Sequence, residues 1–131
     1  AAAAERGAAL AVVSREPARA AAFAAWAATL GVIAAEPGAC AVLVNATPVG
    51  LADDALPPID LAAQPLAQVA LDLVYRAGGT AWVRAARARG LRAADGRGML
   101  VAQGARALEC WFPRVRAPRE VMHAAVEATL R

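Results

Sequence analysis

The sequence predicts an α/β protein built on an open parallel sheet flanked by helices. Three observations carry that expectation. Short, continuously apolar runs alternate with amphipathic stretches along the chain, the pattern of strand and crossover helix. The apolar runs end in loops of Gly, Pro, Asn or Ser, residues that break strands. And with 131 residues, 60% of them hydrophobic, the chain is long enough for one domain with a core.

Composition narrows the partners. No apolar run approaches the roughly 20 residues that a membrane span requires, so no membrane partner is expected. The formal net charge is +3, and all 14 basic residues are arginine. Arg84, Arg87, Arg89 and Arg92 are interleaved with alanine at helical spacing and have no aromatic platform beyond Trp82, so they read as a solvated helix face and not as a nucleic-acid surface. Cys40, Cys110 and His123 are too few for a zinc site, and no metal is expected. Both cysteines read as small buried hydrophobes in a reducing, cytoplasmic compartment.

The elements follow in order. Ala1 to Arg6 read as the tail of a helix closed by Gly7, so the chain is expected to begin inside an element. Ala8 to Val13 is a strand expected to be covered on both faces. Pro17 suits the first turn of a helix that presents Phe23, Trp26, Ala27 and Leu30 inward and ends at Gly31. Val32-Ile33 is a minimal edge strand, and Glu36-Pro37-Gly38 a turn. Cys40 to Asn45 is the clearest strand, followed by the loop Asn45-Ala46-Thr47-Pro48-Val49-Gly50. Leu51 to Ala63 reads as irregular surface. Ala67 to Tyr75 is the next strand; Thr80 caps a helix carrying Trp82, Val83 and Ala86 and closing at Gly90. A short strand from Leu91 to Ala94 leads into Asp95-Gly96-Arg97-Gly98, a glycine-bracketed turn. Met99 to Trp111 is then a long apolar helix, and after Pro113 a last amphipathic helix starts at Ala117-Pro118, with Val121, Met122, Ala125, Val126 and Leu130 on one side.

Four motifs, in this order, resemble the cofactor-binding and C-terminal part of the shikimate dehydrogenases. They are Ser14-Arg15-Glu16-Pro17-Ala18-Arg19 after a strand, Asn45-Ala46-Thr47-Pro48-Val49-Gly50-Leu51, Asp72-Leu73-Val74-Tyr75 with Thr80 beyond it, and Asp95 to Gln103 continuing through Trp111. The resemblance implies a Rossmann-like sheet, with residues 1–98 a partial NADP-binding domain and residues 99–131 C-terminal helices that pack toward a catalytic domain. It also implies a hydride transfer between NADPH and 3-dehydroshikimate that yields shikimate. A paralogue acting on quinate would share these motifs, and a non-catalytic binding module that kept the fold is the other alternative.

The resemblance assigns residues to both reactants. Ser14, Arg15 and Arg19 are expected at the end of the second Rossmann strand, where the adenosine phosphate that distinguishes NADP from NAD is read, with the two arginines as its clamp. Glu16 stands where the family commonly has Thr. Ala46, Thr47 and Leu73 would border the cofactor, Gly96 would touch it through its backbone, and Met99 would lie against the nicotinamide as a polarisable apolar wall. Tyr75 and Gln103 would face the substrate, a polyhydroxylated cyclohexene carboxylate, and hydrogen-bond its oxygens. Asp72 reads as structural.

Family members handle the accompanying proton with a Lys and Asp pair in an N-terminal catalytic domain. This sequence holds no lysine, so no catalytic residue is expected in it, and it lacks the glycine-rich turn that holds a pyrophosphate. The expectation is therefore a sheet truncated at its N-terminus, with the first strand and its turn missing. That strand would sit between the Ala8–Val13 and Cys40–Asn45 strands, which must either pair directly or leave a gap. The oligomeric state is left open.

Overall fold

The computed structural model describes residues 2–130. Its elements are α1 (Ala2–Glu5), β1 (Ala9–Leu10), α2 (Pro17–Thr29), β2 (Ile33–Ala34), β3 (Val42–Asn45), β4 (Val69–Asp72), α3 (Ala81–Ala88), β5 (Arg92–Ala94), α4 (Arg97–Trp111) and α5 (Arg119–Thr129), with a 3₁₀ turn at Leu61–Ala63. The expected alternation of strand and helix is present. Ala1, part of the expected first helix, lies outside the described residues.

The strands form two parallel sheets. β1 pairs with β2 in parallel, Ala9 opposite Ile33 and Leu10 opposite Ala34. The other sheet has the order β3-β4-β5. Its first pair is also parallel, because the Val69 amide donates to the Ala41 carbonyl and the Leu73 amide to that of Asn45, an equal advance on both strands. The direct pairing open to the Ala8–Val13 and Cys40–Asn45 strands is not observed: among the described residues no ladder joins β1 to β3. Helices flank these sheets in open, unclosed fashion, which is the Rossmann-like architecture expected.

The chain divides into two compact units, residues 1–43 with 58–69, and residues 44–57 with 70–131. In the first, α1 is closed by Gly7 at φ 61° and α2 is followed by Gly31 at φ 76°, as glycine allows. The expectation of a strand covered on both faces fails here, since β1 is only two residues long and both are exposed. The inward face of α2 is likewise shallower than its spacing suggests. Ala27 is buried, whereas Phe23, Trp26 and Leu30 are 42%, 56% and 41% exposed. Periodicity tells which face is apolar; it does not tell whether enough strand lies beneath to cover it.

The second unit holds most of the core. Trp82, Val83 and Ala86 on α3 and Val101 and Ala105 on α4 are buried, with Ala70 and Val74 at β4 and just beyond it. Thr80 caps α3 as expected, its hydroxyl accepting from the Val83 amide at 3.2 Å. Met122 of α5 sits close against Gly104 of α4, where a Cβ would come within 3.1 Å of its terminal methyl. Ion pairs bracket this contact: Glu109 with Arg119 at 3.5 Å and Arg97 with Glu127 at 2.9 Å. The two helices therefore run as an antiparallel hairpin. Cys110 corrects a sequence expectation, being exposed, while Cys40 is half-buried. No helix is long and apolar enough to cross a membrane among the described residues.

β1 and β3 each carry an unpaired edge, and Val42 and Val44 on β3 are 56% and 45% exposed. Open parallel edges with apolar flanks recruit further strands. The purified chain is therefore expected to associate as its concentration rises, read by sedimentation velocity; a monomer at all concentrations that melts in one sharp transition would contradict this.

Candidate functional site

The second unit converges on one buried carboxylate. Asp72 ends β4 and is fully buried, as are Asn45 at the end of β3 and Thr80 before α3. The Asn45 side-chain amide donates to Asp72 Oδ1 at 2.8 Å, the Val74 amide donates to the same oxygen at 3.1 Å, and the Thr80 hydroxyl donates to Oδ2 at 2.6 Å. Three donors replace the water an ionised carboxylate loses on burial. Two strand ends and the start of α3 are thus tied to a single group.

Asn45 also shapes the loop after β3. Its Oδ1 accepts from the Thr47 amide at 3.0 Å and the Thr47 hydroxyl at 2.7 Å, and its amide donates to the Val49 carbonyl at 3.3 Å. The Thr47 hydroxyl in turn accepts from the Val49 amide at 3.2 Å. The Asn-Ala-Thr-Pro motif therefore folds as a self-bonded turn on the Asp72 network, leaving Ala46 exposed and Thr47 half-buried.

Gly96 joins this platform to α4. Its amide donates to the Val74 carbonyl at 3.1 Å, and a Cβ there would lie 2.2 Å from the Leu73 carbonyl oxygen. Only a residue without a side chain lets the start of α4 rest on the exit of β4. The expected turn at Asp95–Gly98 is tighter than its glycines suggest: Gly96 has φ −70° and α4 begins at Arg97, two residues before Met99. Close approach, and not a left-handed backbone, is what Gly96 supplies. At Gly98 a Cβ would meet nothing, so the helix start is open on that side.

On α4, Met99 and Gln103 are one turn apart and both exposed, while Val101 and Ala105 face inward. Leu73 and Tyr75, flanking the Gly96 contact in sequence, are half-buried. The structure thus places Ala46, Thr47, Leu73, Tyr75, Gly96, Met99 and Gln103 in the second unit. Ser14, Arg15 and Arg19 belong to the first. Ser14 Oγ accepts from the Glu16 amide at 3.2 Å, Arg15 is exposed, and Arg19 pairs with Glu16 at 2.7 Å across a solvated helix start. Glu16 thus answers a neighbouring arginine, and an exposed pair of this kind is weak enough to exchange for a stronger anion.

Sequence reasoning gave Arg97 and Arg76 no role and did not foresee the bonds of Arg84 and Arg87. Arg97 donates from Nε to Asp95 Oδ1 at 2.9 Å and from Nη1 to Glu127, bridging the start of α4 to the end of α5. Its guanidinium is held above its ordinary value, first by the bond to Asp95 and against some desolvation, so it stays charged wherever the chain is folded. Arg84, Arg87, Arg89 and Arg92 are all exposed, as a solvated face requires, and Arg84 also reaches Asp54 at 3.1 Å and the Gly79 carbonyl at 2.7 Å. Arg87 likewise donates twice to the Ala93 carbonyl, at 2.8 and 3.1 Å. Arg76, next to Tyr75, bonds Asp54 as well. Nothing in helical spacing distinguishes a guanidinium that reaches a carbonyl from one that reaches water.

Comparison with known proteins agrees with this arrangement. Residues 96–127 match the family model of the shikimate 5'-dehydrogenase C-terminal domain. The NADP(+) shikimate dehydrogenase of Nitrobacter hamburgensis is 40% identical over 90 residues, which are 69% of this chain and 32% of that protein. By these matches the chain is similar to shikimate dehydrogenases over the part of their length that it spans. The Thermus thermophilus shikimate 5-dehydrogenase, solved with NADP(H) and shikimate, superposes with TM-score 0.75 at 35% identity, covering 88% of this chain and 44% of that one. The 5-ketofructose reductase of a Gluconobacter strain, solved without ligand, does so at 0.63 with 31% identity, over 75% and 37% respectively. The chain spans about a third of the length of the curated relative, 32%.

The two glycines of the motif should behave oppositely. Gly96→Ala is expected to destabilise the chain by about 3 kcal/mol through overlap with the Leu73 carbonyl. Gly98→Ala should be neutral or stabilise by up to about 1 kcal/mol, as in an ordinary helix. Urea denaturation of both variants checks the contrast.

Proposed function

We propose that this chain supplies the cofactor-binding region and C-terminal helices of an NADP-dependent shikimate dehydrogenase. The observation that carries the reading is the seating of Gly96 on Leu73. It sets α4 at the end of β4 and leaves Met99 and Gln103 on one open face, beside the strand ends where ligands of such sheets are held. The sequence relatives named for NADP(+) and the Thermus thermophilus complex with NADP(H) and shikimate support the same assignment.

Two features of the chain suit parts of a dinucleotide. At the start of α4 nothing blocks the space at Gly98 and Met99 is 41% exposed, and in the first unit Arg15 and Arg19 are exposed after β1, Arg19 in a solvated pair with Glu16. When bound, NADPH supplies the hydride. Arg15 and Arg19, with Ser14, would hold its adenosine phosphate; Ala46, Thr47 and Leu73 would border it; Met99 would supply an apolar wall for the nicotinamide and keep water from that face. Tyr75 and Gln103 orient the ring acid through its oxygens, Gln103 as both donor and acceptor. Proton transfer falls to the Lys and Asp pair of an N-terminal catalytic domain, because this sequence contributes no lysine. Residues 1–98 then form the NADP-binding part, and residues 99–131 the helices packed toward that domain.

A second reading keeps the mechanism and changes the substrate. The likeness to a 5-ketofructose reductase shows this scaffold in a protein named for another polyhydroxylated ketone, so quinate or a related polyol acid is the alternative. Kinetics of the intact enzyme on shikimate and on quinate separate the two.

Two outcomes test the proposal. The 131-residue chain alone should show no NADP-dependent oxidation of shikimate, and measurable turnover would place the chemistry within it. In the intact enzyme, Arg15→Ala with Arg19→Ala should raise the KM for NADPH on the order of 100-fold while changing that for NADH little, since two charge-assisted bonds are lost only with the phosphate. Equal losses for both cofactors would show that the clamp is misassigned.

A further inference from the structure

The loop between β3 and the 3₁₀ turn carries a second anchorage besides the Asn45 turn. Residues 46–57 fold on themselves: the Leu51 amide donates to the Pro48 carbonyl at 3.1 Å, the Ala55 amide to Asp53 Oδ1 at 2.9 Å, and Gly50, at φ 90°, packs so that a Cβ would lie 3.4 Å from the Ala55 carbonyl oxygen. Pro57 at its end is buried. A loop bonded internally in this way moves as one body about whatever holds its ends.

One end is held by the Asn45 turn. The tip is held by Arg76, whose Nη1 donates to the Asp53 carbonyl and, at 3.2 Å, to Asp54 Oδ1. Arg84 of α3 reaches the same Asp54 oxygen at 3.1 Å. Two guanidiniums thus converge on one carboxylate and one carbonyl at the loop tip. The Arg76 side chain is 32% exposed and that of Asp54 66%, so the catch lies at the surface, where it can release without unfolding the core.

We propose that Arg76 is a positioning residue that latches the loop tip to the exit of β4 and so fixes Tyr75, the residue before it. The inference rests on the proposed function, since Tyr75 is its substrate-facing group. Arg76 itself touches neither reactant in this role. It acts because it follows Tyr75 directly in the chain and grips the loop tip at Asp53 and Asp54. Asp54 is the shared counter-charge, and Arg84 extends the catch to α3.

Hydrogen exchange on the whole chain, without ligand, tests the latch separately from the functional reading. Arg76→Gln should speed exchange at the Leu51 and Ala55 amides about tenfold and leave those of Thr47 and Val49, held by Asn45 and by Thr47 itself, unchanged. Arg76→Lys should recover part of the protection, because it keeps the charge without the fork. In the intact enzyme Arg76→Gln should raise the KM for shikimate severalfold while leaving the KM for NADPH and kcat within about twofold. Wild-type exchange at Leu51 and Ala55 in Arg76→Gln, or equal acceleration at Thr47 and Val49, would overturn the latch even if the chain binds NADP. Loss confined to kcat would overturn the positioning role.

Discussion

The burial of the Asp72 carboxylate constrains the second unit more than any apolar contact does. A charge with no exposure must find donors inside the protein, and here they come from a neighbouring strand end, from its own chain two residues on, and from the start of the next helix. Each donor is fixed in place by that need. The loop after β3, the exit of β4 and the cap of α3 are therefore set relative to one another by one group whose removal would leave buried donors unpaired. Apolar packing of Trp82, Val83 and Ala86 then holds α3 in place, but the polar network fixes where it begins.

The groups assigned to the two reactants lie just outside this network. Thr47 is bonded to Asn45, Leu73 follows Asp72, and Gly96 rests on Leu73. A platform of buried polar bonds with exposed side chains at its rim suits a site that orients small polar molecules, because its own donors and acceptors are already satisfied. The surface charges follow the opposite logic. Arg76 and Arg84 grip the largely solvated Asp54 and so steady a loop without the full cost of burying a charge, whereas Arg97 joins the buried Asp95 to the exposed Glu127.

Much of this was legible in the sequence, and the failures have physical causes. Thr80 as a cap, Gly90 as a stop and Trp82, Val83 and Ala86 as core follow from local chemistry, which the fold obeys. The strand from Ala8 to Val13 shrank to Ala9–Leu10 because strand length is set by neighbours, and β1 has a neighbour on one side only. Phe23, Trp26 and Leu30 read as core for the same reason and are half-open. Gly96 was singled out for a backbone contact with the cofactor; its seat on the Leu73 carbonyl of this same chain is a separate constraint, which spacing alone cannot reveal. Arg76 and Asp54 were invisible, since a bond across 22 residues leaves no local pattern.

The Gly96 contact also makes α4 a lever with its fulcrum at the ligand end. From Gly96 to Trp111 the helix rises about 22 Å, so a tilt of about 10° pivoting on the Leu73 carbonyl moves Trp111 by about 4 Å. The same tilt moves Met99 by under about 1 Å and Gln103 by about 2 Å. Displacements imposed at the far end, where Trp111 stands 75% exposed, reach the reactants' side strongly reduced. The far end of α4 is thus free to follow whatever packs against it while the residues near the pivot keep their geometry.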